Sequence, residues 1–76
     1  SVVECTTIYH IAEHRAKRYE KNSLYAKAKI EWHFSEQLRR AVMNRHKHVD
    51  LGHKNAIAYC KKRQLKIEMK LLSRKD

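Results

Sequence analysis

The sequence predicts an all-α protein, and three observations carry that reading. There is no proline and only one glycine, so the strongest chain breakers are nearly absent. Apolar residues recur at spacings of three and four, the mark of a helix face. No stretch alternates with period two between turn residues, as a half-buried strand would. The expected architecture is a helical hairpin plus a third, C-terminal helix in a small bundle. With 76 residues, positions 1–76 are expected to form a single small domain, or one piece of an assembly.

The first helix is expected over 7–21. Thr6 or Thr7 can cap it, because a hydroxyl can accept a bond from an orphan N–H of the first turn. Ile8, Ile11, Ala12, Ala16 and Tyr19 share one face, and Glu13 and Lys17 form an i,i+4 pair outside it.

Asn22 and Ser23 interrupt the pattern, since both side chains compete for backbone hydrogen bonds. Ser23 is the expected N-cap of a second helix over 24–44. Tyr25, Ala28, Trp32 and Ser35 define its main face, widened by Ile30, Phe34, Leu38, Ala41 and Val42. A face that wide suits a helix packed between two neighbours. The short connection predicts an antiparallel αα-hairpin.

A third helix is expected over 53–74, starting near Leu51 or Lys54, with Asp50 as a candidate cap. Ala58, Leu65, Met69 and Leu72 form its apolar stripe, interrupted by Lys61, Lys62 and Arg63. The distal part reads as an amphipathic helix that wants a partner, either its own domain or a second chain. Thin cores of this size often gain stability by association, so a homo-oligomer is expected. The expected core is Ile11, Ala16, Tyr19, Tyr25, Ala28, Trp32, Leu38 and Cys60. Trp32 reads as a core anchor, with an exposed partner contact as the alternative.

The charge is lopsided. Residues 1–38 hold six basic and five acidic side chains, and residues 39–76 hold twelve and three. The second half thus carries +9 of the chain's net +10, which predicts an anion-facing surface for nucleic acid or an acidic protein. The nucleic-acid version would use Arg39, Arg40, Arg45, Lys47, Lys61, Lys62 and Arg63 on phosphates. The protein version would use Leu65, Met69 and Leu72 as anchors, with Lys61, Lys62 and Arg63 setting orientation and on-rate.

Chemistry is not indicated. No Gly-rich phosphate loop or clustered carboxylates occur, so no catalytic residues and no cofactor are expected. Cys5, His10 and His14, or His46, His48 and His53, lack the usual zinc pair spacings, so no metal site is expected. Two unpaired cysteines fit a reducing, cytoplasmic setting. No apolar run approaches the ~18 residues of a membrane span.

The run Ala16, Tyr19-Glu20, Tyr25, Ala28 and Trp32, followed by Tyr59-Cys60-Lys61-Lys62-Arg63, resembles the AraC negative regulators (ANR) of enteric bacteria. It is also similar to PerC-type activators. The resemblance spans about Ala12 to Arg63. Asn22-Ser23 stands where the family usually carries a glycine before its aromatic, and Asn55-Ala56 where it often carries an arginine. The resemblance implies a small virulence-type transcriptional regulator working through proteins. Its partner would be an AraC-type activator or the H-NS silencing system.

Overall fold

A chain without proline, rich in alanine and long polar side chains, loses little free energy on coiling, and tertiary packing then fixes the faces. The computed structural model describes residues 2–46 and 51–73. It consists of α1 (Val2–Lys21), α2 (Tyr25–His46) and α3 (Leu51–Ser73), with no strand among the described residues. The protein is all-α. α1 begins five residues earlier than the sequence suggested and runs straight through Thr6 and Thr7, which therefore do not cap it. Asp50, Lys47, His48, Arg74 and Lys75 lie outside the described residues.

The turn between α1 and α2 is a Schellman motif. The Leu24 amide bonds the Tyr19 carbonyl at 2.8 Å, and the Ser23 amide bonds that of Glu20 at 3.0 Å. This geometry puts Ser23 in the left-handed region, with φ of 60°. Ser23 therefore ends α1 rather than capping α2. Leu24 holds the N-cap position, its carbonyl accepting the Ala28 amide at 3.0 Å.

α2 is the central element. It packs on α1 and on α3, while no Cα of α1 comes within 8 Å of one of α3 among the described residues. The result is an open, elongated arrangement, 46 × 19 × 14 Å, rather than a closed three-helix bundle. Both packings are antiparallel, because partner numbers fall on one helix as they rise on the other: Glu13 meets Arg39 and Glu20 meets Trp32 between α1 and α2, and Lys29 meets Glu68 and Glu36 meets Gln64 between α2 and α3.

The core is thin. Ala16 and Ala28 are fully buried and let α1 and α2 approach closely. Trp32, Cys60 and Ile67 complete the cluster, with Tyr19, Tyr25 and Leu71 partly buried against it. Leu38 is half-buried. Ile11, an expected core residue, is 46% exposed. The face of α1 that meets α2 is Tyr9, Ala12 and Ala16, which turns Ile8 and Ile11 outward. Ile30 and Phe34 also face solvent, because α2 directs Ala28, Trp32, Ser35 and Arg39 inward. α3 shows the same inversion: Ile57, Cys60 and Ile67 are buried, while Ala58, Leu65, Met69 and Leu72 lie outside.

Candidate functional site

Two carboxylates of α1 organise the interior. Glu13 receives Arg39 through both oxygens, from Nε at 2.7 Å and Nη2 at 3.1 Å. Such a fork fixes geometry as well as charge. The Ser35 hydroxyl donates to the same Glu13 at 2.6 Å, and the Cys60 thiol to Ser35 at 3.8 Å. The Arg39 guanidinium also lies 4.0 Å over the Tyr9 ring and 3.5 Å from Nδ1 of His53. Burial would raise the Glu13 pKa, but the bonds from Arg39 and Ser35 and the Arg39 charge outweigh it, so the net shift is downward. Arg39 is raised in turn, burial being outweighed by its bond and charge pairing with Glu13.

Glu20 is the second organiser. It accepts the indole N–H of Trp32 at 2.6 Å and pairs with Arg63 of α3. One carboxylate thus ties all three helices at one level. Trp32, 1% exposed, meets the Tyr59 ring edge-on at 5.6 Å. Further along, Glu36 holds Gln64 at 2.8 Å and Arg40 at 2.9 Å, and Lys29 bridges to Glu68 at 2.8 Å.

These pairs redistribute the residues the sequence assigned to partners. Arg39 is buried against Glu13, and Arg63 is turned onto Glu20, so neither guanidinium stands free on the surface. Arg40 is held by Glu36. Arg45, Lys61 and Lys62 are exposed, and Lys47 lies outside the described residues. The expected pair of Glu13 with Lys17 is not made, because Glu13 turns inward.

The apolar anchors of α3 are open to solvent: Leu65 is 62%, Met69 70% and Leu72 65% exposed. They do not stand alone. Leu65 and Ile30 line one open groove between α2 and α3, of about 690 Å³. Ile8, Ile11 and Phe34 line another between α1 and α2. Ile30 and Phe34 lie one turn apart on the outward face of α2, where Lys29, His33, Glu36, Lys61, Gln64 and Glu68 share the first groove with Ile30 and Leu65. Sequence spacing placed Ile30 and Phe34 on the packed face of α2, whereas both are exposed.

No group of His, Cys, Asp and Glu suited to a metal ion occurs among the described residues. No described helix is long and apolar enough to cross a membrane. Comparison with family models, curated proteins and solved structures found no match.

Proposed function

We propose that this chain is a small cytoplasmic transcriptional regulator that acts by protein–protein contact, binding an AraC-type activator or acting on H-NS silencing. The observation that carries this reading is the outward row of Leu65, Met69 and Leu72 on a helix that already buries Ile57, Cys60 and Ile67. A helix with a packed face and a second, bare apolar face is suited to a macromolecular partner. Lys61 lines the same groove as Leu65 and supplies steering charge. Self-association through the exposed apolar residues belongs to the same reading.

The resemblance to ANR proteins supports it at particular positions. Ala16 and Ala28 serve close helix approach, Trp32 and Cys60 the core, and Glu20 the three-helix tie. Of the two residues standing in place of the family glycine, Ser23 is the one with positive φ. That is the conformation glycine adopts at least cost.

The direct nucleic-acid reading is weakened by the burial of Arg39 and the commitment of Arg63, which leave fewer cations for phosphates. The test is capture of a purified AraC-type activator, with nuclease treatment, by the native chain and by a Leu65→Glu, Met69→Glu variant. The native chain should bind and the folded variant should not. Equal binding by both would remove the assignment. Nanomolar, salt-resistant binding to duplex DNA would favour the nucleic-acid reading instead.

A further inference from the structure

Because the backbones of α1 and α3 stay apart, a furrow runs between them over α2. Above Trp32 it opens into a cleft of about 430 Å³. Lys17 and Lys21 of α1 line it together with Tyr59 and Arg63 of α3, and Glu20 is its one carboxylate. Lys17 and Lys21 lie one turn apart, are exposed, and have no carboxylate within ion-pair distance among the described residues. Glu13, the acid expected to neutralise Lys17, is occupied by Arg39. Both oxygens of Glu20 are occupied by Trp32 and Arg63. The Nε of Arg63 is enclosed and has no acceptor. Tyr59, 48% exposed, offers an aromatic surface beside these cations.

We propose that this cleft binds an acidic segment of a protein partner, with carboxylates on Lys17 and Lys21 and an apolar side chain against Tyr59. A concave wall of cations focuses the field and favours anions. The single acid within it is already spent on internal bonds, so it repels little. The patch is about one helical turn long, which matches a few side chains. Tight duplex binding draws on a longer track of some 6–10 phosphate contacts. The proposal rests on the protein-partner reading but uses a different surface from the Leu65, Met69 and Leu72 row.

Trp32 is the only tryptophan, and it lies under this cleft in contact with two of its lining residues, Glu20 and Tyr59. The full chain is titrated with a blocked peptide of glutamates around one leucine, and separately with a short DNA duplex of equal charge, at moderate salt. The peptide should give a saturable change in Trp32 emission. Lys17→Glu with Lys21→Glu should weaken it at least about tenfold. Arg15→Glu with Arg18→Glu makes the same charge change on the other side of α1, where those arginines line a separate pocket, and should weaken it far less. No saturable change, equal loss in both variants, or tighter binding of the duplex would each overturn the proposal. If the Lys17 and Lys21 variant still captures an AraC-type activator that the Leu65 and Met69 variant loses, the cleft fails as a partner site while the proposed function stands.

Discussion

The indole N–H of Trp32 donates to Glu20 at 2.6 Å, and the same carboxylate holds Arg63 from the third helix. The buried ring therefore carries a polar contact as well as apolar area. Trp32→Ala should cost about 3–5 kcal/mol, the range for removing a large buried aromatic side chain. Circular dichroism through a urea titration is the measurement, and an unmoved midpoint would contradict the burial. Trp32→Phe should cost less but leave Glu20 one donor short.

Glu13 predicts an acid-sensitive fold. Its folded pKa lies below the usual 4.5, so its contribution is fully present above that value and is lost as pH falls through the lowered one. Glu36 acts in the same direction: burial opposes the shift, and bonds from Gln64 and Arg40 outweigh it. The melting temperature should hold steady through neutral pH and decline below pH 4.5. Glu13→Gln should flatten that decline. At neutral pH the same change should cost about 2–3 kcal/mol, because it strips a charged hydrogen bond from buried Arg39.

Ser23→Gly should stabilise the chain. A left-handed conformation costs a side-chain-bearing residue about 1–2 kcal/mol, and glycine escapes most of it. Part of that gain is offset by the greater freedom of glycine in the unfolded chain. A net gain of about 1 kcal/mol would raise the melting temperature by about 4–8 °C. A fall on thermal melting would argue against the positive φ.

The two thiols should react at different rates. Burial raises the Cys60 pKa and shields its sulfur, whereas Cys5 is only partly buried. A thiol reagent should label Cys5 first and Cys60 only as the protein unfolds. Mass spectrometry over time distinguishes the sites, and early labelling of Cys60 would contradict its burial.

Much of the architecture was legible because the helix signals are local. The hairpin follows from the Asn22-Ser23 break, Ala16, Ala28 and Trp32 fall where their spacing puts them, in the core, and Cys60 joins them from an apolar stretch of α3. The faces were harder to read. On α3 the stripes Leu65-Met69-Leu72 and Ile57-Cys60-Ile67 both have helical spacing, so periodicity alone does not say which one packs. The inward stripe is the one that meets Ala28 and Trp32, a fact of tertiary contact. The roles of Glu13 and Glu20 were hidden for the same reason. Their partners stand 26 and 43 positions away, at Arg39 and Arg63, and no short-range spacing announces them. The cleft residues Lys17 and Lys21 lie in the half of the chain whose net charge is close to zero, so a count by halves passed over them.

Among the described residues the outer helices pack on the middle one and meet each other only through side chains, at Glu20–Arg63 and Tyr9–His53, so away from those two ties each can loosen without dragging the other along. Amide exchange should then rank α2 as the slowest segment, with α1 and α3 opening as separate units. A ligand seated in the furrow would act as a clasp across the open edge, slowing exchange in both flanking helices at once.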